Sequence, residues 1–513
     1  MQYDAIIIGS GFGGAMTARQ LVQSGMKVLM LERGDWVQRG PDNWGLRGSL
    51  DLSTHNDRST PLNIAAGGNK KVMGLYTAVG GPSAFYGGVS FRFREADFDR
   101  NEDIEGKNAT GWPISYRDLE PFYTEAEQVL QISGEAGIDP TEPHRSAPFP
   151  QGPAPLADIS KRVKTSAEKL GLHPFQLPLA INYEDKSRNT CTSCTTCDTF
   201  ACAINAKNDL STLVLPDLQK RGMDLMPSMV VTRLVAEKGQ ISSVETVSKT
   251  TGERQVFKAK YVVLAAGALG SAHLLLASGL EKLNPGGAVI GRYLMRHVNA
   301  IIFGIFPGAA DKEGRFHKQL AILDYYFGDE KLAPNFGKLG SLQQMPTPPM
   351  GLVQNEVPGP FGVLLSQGVR LLTGLLAIVE DQPQFSNSLT INPLVKDGFG
   401  LPQPIIFHQY SKRDEAALKI LTQAGKKIMY GAGAVAHYIH QIRTFSHAVG
   451  TVRMGADPAT SALDENCEFR GVKNLYVTDG SVMPTSAAVN PSLTIAANAL
   501  RVGGIIGKLG IGN

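Results

Sequence analysis

The chain has 513 residues, 42% of them hydrophobic and 19% charged, too long for one simple core and enough for two or three structural units. A net charge of +3 points to neither nucleic acid nor an anionic membrane surface as partner. No uninterrupted apolar run reaches the roughly 18 residues of a membrane span, and the N-terminus enters an apolar stretch without a basic leader, so a soluble cytoplasmic protein is expected.

Ala5–Ile8 is apolar and predicts a strand. Gly9, Gly11 and Gly14 follow in the order G-S-G-F-G-G, then a helix ended by Gly25, a second strand over Lys27–Leu31, and Glu32 at its end. This pattern holds a dinucleotide. Gly9 allows the turn, Gly11 lets the backbone reach the pyrophosphate, Gly14 permits close helix–strand packing, and the helix N-terminus faces the phosphates. Glu32 suits a ribose hydroxyl pair and argues by charge against a 2′-phosphate.

Within Thr77–Phe93, the pairs Gly80-Gly81 and Gly87-Gly88 bracket a small-residue segment. It is either a surface loop or backbone packed against a planar ring. Trp112-Pro113 leads into an amphipathic helix starting near Tyr116. Pro140 to Pro178 is rich in proline and polar residues without a strong period and predicts a connecting segment over the surface. Next come Cys191, Cys194, Cys197 and Cys202, spaced C-x2-C-x2-C-x4-C, with Cys467 standing alone. Thiolates at this density suit an iron–sulfur cluster or a tetrahedral zinc. Buried thiols or a local disulfide are the plainer alternatives.

Leu225–Val235, Ser243–Val247 and Tyr261–Ala265 predict strands, the last running into a second glycine-marked turn at Ala266-Gly267. Gly291–His297 closes this block. From about 300 to 440, apolar strands alternate with longer loops and end in an amphipathic helix. Phe361–Val379 predicts a buried or lid helix, and residues 339–360 a mobile loop near a site entrance. Towards the C-terminus, His447 and Asn490 sit in small-residue contexts. Asp479-Gly480 reads as a strand end turning into a helix, where α/β sheets place ligands.

The GSGFGG turn with Glu32, the VGGPS element at Val79–Ser83, the WPISYRDLEPFYTEAE stretch from Trp112, and the His447/Asn490 segment occur in one order. Together they resemble the glucose–methanol–choline family of FAD oxidoreductases. The resemblance implies an α/β chain. Its Rossmann-like FAD-binding domain would be assembled from residues 1–135, 203–298 and 441–513. A discontinuous α+β substrate domain built on an antiparallel sheet would take 299–440, with 136–202 connecting. FAD would be held without a covalent bond by Gly9, Gly11, Phe12, Gly14, Glu32, Gly80, Gly81, Ser83, Val231, Ala266, Gly267, Asp479, Gly480, Asn490 and Pro491. Several relatives attach the flavin through a histidine in the glycine loop, where this chain has Phe85.

The same resemblance implies that His447 takes the hydroxyl proton of an alcohol while the flavin takes the hydride, with Asn490 holding the oxygen. The helix starting after Asn490-Pro491 would favour negative charge on the reduced flavin. The other histidines, His55 and His297 among them, read as packed or surface residues. The cysteine-bearing bacterial relatives point to a sugar, glycoside or aminosugar as substrate. A sterol or other bulky alcohol is the alternative, with Phe361–Val379 as one wall of its cavity. An FAD-containing lyase without net redox and a flavin-binding protein without activity are further alternatives. Oxygen and a redox partner both stay open as electron acceptor, a metal cluster at the cysteines favouring the partner.

Overall fold

The computed structural model describes residues 3–66, 69–105, 110–357 and 359–511. A parallel sheet of five strands runs in the order Leu475–Val477, Ala259–Leu264, Tyr3–Ile8, Val28–Leu31, Asp224–Met226. Its strands are short apolar runs because both faces are covered; Ile6, Ile7, Leu29, Met30, Val263 and Leu475 have no exposed surface. The helix Phe12–Gln23 follows the first strand, and the C-terminal helix Ser492–Ile511 packs along it. Glycines permit that approach: a Cβ on Gly503 would stand 2.9 Å from the Gln20 Cβ.

A six-stranded antiparallel sheet runs in the order Ala436–Gln441, Val298–Ile305, Leu372–Val379, Ser341–Met345, Leu320–Ile322, Phe175–Gln176. Alternation sends its side chains to two faces. One face buries Ile302, Leu342, Leu375 and Ala377 against the helices Asp158–Lys169 and Lys412–Gly431. The other carries Ile301, Phe303, Leu376 and Ile378 and reaches the C-terminal segment, where Ser341 Oγ donates to the Ala488 carbonyl at 2.7 Å. A smaller sheet joins Asn56–Ala66 and Asn69–Tyr76 to Ser388–Lys396 and Pro402–Phe407 across most of the sequence. The α/β class and the antiparallel second sheet are as the sequence predicts.

Four local expectations are corrected. Phe361–Val379 is not one helix: Pro360–Gln367 is helical and Leu372–Val379 is a central strand. A strand buried on both faces is a continuous apolar run, which periodicity does not separate from a helix. Residues 339–360 are not a bare loop but contain the strand Ser341–Met345 and the helix Met350–Glu356. The segment from Pro140 to Pro178 holds the helix Asp158–Lys169, whose Ile159, Val163 and Ala167 form a buried stripe at four-residue spacing. Leu225–Val235 is two strands, Asp224–Met226 and Met229–Glu237, separated by a turn with Ser228 at φ 56°.

The strand ends of the parallel sheet meet closely. A Cβ on Gly9 would lie 2.3 Å from the Ala265 carbonyl oxygen, and one on Gly13 would lie 2.5 Å from that of Thr478. Gly13→Ala should therefore push the first helix off the Thr478–Asp479 turn, at an overpacking cost of about 1–3 kcal/mol. A lowered midpoint of thermal unfolding checks this; an unchanged midpoint would contradict the contact.

Candidate active site

Three turns converge at the C-terminal edge of the parallel sheet: Gly9–Gly14, Ala265–Gly267 and Thr478–Gly480. Asp479 joins two of them. Its buried carboxylate accepts from Gly267 N at 3.0 Å, from Ser481 N at 2.8 Å and from the Ser271 hydroxyl. Burial pushes its pKa up and these hydrogen bonds oppose that. Glu32, at the end of the second strand, accepts from Ser10 N at 2.9 Å, Ser10 Oγ at 2.6 Å and Gly34 N at 2.7 Å. Ser10 Oγ in turn accepts from Gly80 N at 2.9 Å. The glycine loop is thus tied to the same turn, and Gly81 would meet the Gly11 Cα at 3.0 Å if it carried a Cβ.

The predicted binding residues fall on this rim or beside it. Phe12 packs edge-on to Tyr86, with ring centroids 5.6 Å apart. Ser83 Oγ donates to the Gly80 carbonyl at 2.7 Å and accepts from Leu210 N, an internal use that locks the glycine loop to the helix Leu210–Lys220. Val231 lies on the strand whose first residue, Met229, donates to the Glu32 carbonyl at 2.8 Å. Ala266 precedes the helix Gly267–Ala277, and Pro491 the helix Ser492–Ile511. An added Cβ on Gly11 or Gly267 would meet nothing within 4 Å, so the space beside these two helix starts is open. At the same place Thr478 Oγ1 and Ser481 Oγ are buried without a partner. Helix N-termini, free hydroxyls and a buried acid beside an open space are what a dinucleotide requires.

His447 is laid over this rim by backbone pairing. Gly450 N donates to the Gly480 carbonyl at 3.1 Å and Val452 N to that of Ser481 at 2.8 Å. On its other side, Val449 and Met295 exchange bonds of 2.9 and 3.1 Å, which brings His297 beside His447. The two Nδ1 atoms are 3.0 Å apart, and His297 Nε2 is 3.0 Å from the Ser486 carbonyl. His297 holds a left-handed backbone, φ 67°, uncommon for a side chain of its size.

This contact dictates tautomers. A carbonyl only accepts, so His297 Nε2 carries a proton. Burial lowers the pKa of His297 and keeps it neutral, which leaves its Nδ1 as a lone pair. His447 must then donate from Nδ1, and its Nε2 is unprotonated. That Nε2 lies 3.5 Å from Asn490 Nδ2. Asn490 is itself oriented: its Oδ1 accepts from Gln343 Nε2 at 2.8 Å. Burial first, then the neighbouring His297 and Lys318, hold the pKa of His447 well below its ordinary value.

The turn before Asn490 is held from below by a buried charge cluster. Lys338 donates to Asp97 and Glu380. Glu380 accepts from Ala487 N at 3.0 Å, and Tyr326, which donates to Asp97, accepts from Ala488 N at 3.2 Å. His297, Gln343 and Ser10 carry this geometry: the sequence reads His297 as a packed or surface residue and marks neither of the others, and His297 is buried but packs on His447. His297 ends a marked segment, GRYLMRH, immediately before an apolar strand, and Gln343 is one of two adjacent glutamines in the short strand Ser341–Met345. Those were the available signals.

The cysteine segment is corrected. Cys191, Cys194, Cys197 and Cys202 are free thiols. Among the described residues no three His, Cys, Asp or Glu side chains are gathered to hold a metal ion. They do not fit the expected iron–sulfur cluster or zinc. Burial raises the thiol pKa of Cys191 to about 11 and that of Cys197 further. The loop is held instead by Lys207, whose ammonium donates to the carbonyls of Tyr86, Cys197 and Phe200.

The sequence matches the GMC oxidoreductase family, its N-terminal part over residues 3–299 and its C-terminal part over 383–499. It is 30% identical to 6'''-hydroxyparomomycin C oxidase of Streptomyces lividus, over 97% of this chain and 90% of that protein. It is 26% identical to 2-methyl-1,2-propanediol dehydrogenase of Mycolicibacterium austroafricanum, over 99% and 95%. Among solved structures, pyridoxine 4-oxidase from Mesorbium loti superposes with a TM-score of 0.69 at 19% identity, covering 98% of each chain. Fold, cradle and sequence agree: this chain belongs to the GMC oxidoreductase family, FAD-dependent enzymes acting on alcohol groups.

Proposed function

We propose that this chain oxidises a CH–OH group of a sugar, glycoside or aminosugar to the carbonyl, with His447 as the base. The observation that carries the reading is the His297–His447 contact, which leaves His447 Nε2 unprotonated beside the Asn490 amide. FAD, when bound, accepts the hydride and with it both electrons. His447 Nε2 takes the hydroxyl proton as the C=O bond forms, and Asn490 Nδ2 donates to the substrate oxygen and fixes its place. His447 keeps its Nδ1–H bond to His297 throughout, so the ring does not turn as it becomes charged. The likeness to 6'''-hydroxyparomomycin C oxidase supports a carbohydrate-type alcohol.

In this reading Gly9, Gly11, Gly14 and the Gly80-Gly81 loop hold the pyrophosphate, Glu32 the ribose and Val231 the adenine. Ala266-Gly267, Asp479-Gly480 and Asn490-Pro491 face the rest of the flavin. Residues 1–135, 203–298 and 441–513 make the FAD part and 299–440 the substrate part. The strand Phe175–Gln176, from the connecting segment, closes the edge of the substrate sheet. Attachment is non-covalent because Phe85, buried in a small apolar cluster, offers no nucleophile.

Anaerobic addition of the substrate should bleach the flavin, and admitting air then separates an oxidase from a dehydrogenase that needs another acceptor. His447→Ala should slow flavin reduction by about 10²–10⁴-fold; an unchanged rate would remove His447 from the chemistry. Because the His447 pKa lies below its ordinary 6.5, the base is already neutral at pH 7. The reduction rate should stay flat from pH 7 upward and fall only below 6.5. His297→Ala should lower the rate and distort that profile, and His297→Asn, which restores an acceptor for His447 Nδ1–H, should recover part of both. Acid precipitation should release the flavin to the supernatant; a yellow pellet would mean a covalent bond.

A further inference from the structure

His297 orients the base, and its backbone is left-handed at φ 67°, a conformation that the surrounding groups must hold in place. Sheet register identifies these groups. Val298 stands opposite Val379 in the antiparallel pair of Val298–Ile305 and Leu372–Val379. Two residues beyond, the chains bring Arg296 against Asp381. The ladder has ended there, and the Asp381 side chain stands in for a strand carbonyl: its Oδ2 accepts from Arg296 N at 2.9 Å.

The same oxygen accepts from His408 Nε2 at 2.7 Å. The His408 ring stands edge-on to Tyr410, with centroids 4.9 Å apart, and the Tyr410 hydroxyl donates to the His297 carbonyl at 2.9 Å. The chain is thus gripped one residue before His297 and at its own carbonyl. The backbone of Asp381 reaches the far contact of the ring as well. Asp381 N donates to Ser486 Oγ at 3.1 Å, and the Ser486 carbonyl accepts from His297 Nε2 at 3.0 Å. The residues on either side are anchored too: Glu380 accepts from Ala487 N at 3.0 Å, and Gln382 N donates to Asp414 at 3.2 Å.

Asp381 has no exposed surface, and its Oδ1 has no hydrogen-bond partner. Burying a carboxylate in that state opposes folding. What its side chain supplies is confined to Oδ2, and both bonds made there lead to His297.

We propose that Asp381 and Tyr410 are positioning residues for the oxidation, holding His297 where its Nδ1 lone pair meets the Nδ1–H of His447 and so keeping His447 Nε2 unprotonated beside Asn490. They act through His297 and not on the substrate. The kinetic consequence rests on the alcohol-oxidising reading above; the tautomer of His447 does not depend on it.

The test takes the FAD-loaded protein with 15N-labelled histidine. In the native protein one imidazole, identified by its loss in His447→Ala, should be protonated at Nδ1 and bare at Nε2. Asp381→Leu offers no acceptor and should abolish that single tautomer, as His297→Ala does. Asp381→Asn keeps an acceptor oxygen for Arg296 N and His408 and should retain it. Tyr410→Phe removes only the hydroxyl, should give a smaller loss of the same kind, and serves alone if the leucine variant does not fold. With methyl glucoside or glucosamine as reductant in the absence of oxygen, Asp381→Leu should lower the limiting rate of flavin reduction by about 10–100-fold and leave apparent substrate binding within about twofold. Asp381→Asn should recover most of that rate. In the His297→Ala background neither Asp381→Leu nor Tyr410→Phe should slow reduction further, whereas a merely structural role would add its own loss. An unchanged His447 tautomer in Asp381→Leu and Tyr410→Phe, or a further slowing in the double variants, would overturn this inference. Bleaching by neither compound would count against the sugar reading and leave the tautomer measurement to decide this one.

Discussion

One buried carboxylate holds the centre of this molecule together. Asp479 accepts from two backbone amides and one hydroxyl, and those donors belong to turns far apart in sequence. An ionised carboxylate without them would be too costly to bury. With them it ties the last strand of the parallel sheet to the turn after Ala259–Leu264. The glycines at 9 and 13 then let a third turn close to within contact of both. The open space beside Gly11 and Gly267 lies where the three turns are pulled together, and a Cβ at either glycine would meet nothing within 4 Å.

The position of His447 follows from that constraint rather than from its own side chain. Its segment is paired on one side to Gly480–Val482, immediately after Asp479, and on the other to Met295. The second pairing places His297 within 3.0 Å, and the Ser486 carbonyl fixes the proton on the outer nitrogen of that ring. A chain of single hydrogen bonds thereby decides which nitrogen of His447 faces outward and that it is free of a proton. Lys338, Asp97 and Glu380 brace the Ala487–Ala488 backbone and so hold Asn490 in the same frame.

The antiparallel sheet supplies the opposite wall, and its two faces do different work. One face buries aliphatic side chains against two helices and stabilises the sheet. The other adds two amides, Asn299 and Gln343, to an apolar surface and turns it towards His447. A one-residue slip of register would exchange these faces, so the pairing that gives the sheet its stability also selects which side chains face Asn490 and His447.

The sequence by itself determined the turns. The GSGFGG run, Glu32, the double glycines at 80–81, and the amphipathic helix starting near Tyr116 are local signals, set by backbone conformations and periodicity within a few residues. They carried the α/β class, the dinucleotide edge and the family. Long apolar runs were less legible: Phe361–Val379 became a helix and a strand because a strand covered on both faces shows no alternation. The partnership of His297 with His447, the orientation of Asn490 by Gln343, and the failure of four closely spaced cysteines to gather as a metal site were decided only in the tertiary structure. Each depends on pairing between segments more than a hundred residues apart or on how a loop is buried, and neither leaves a period or a spacing in the chain.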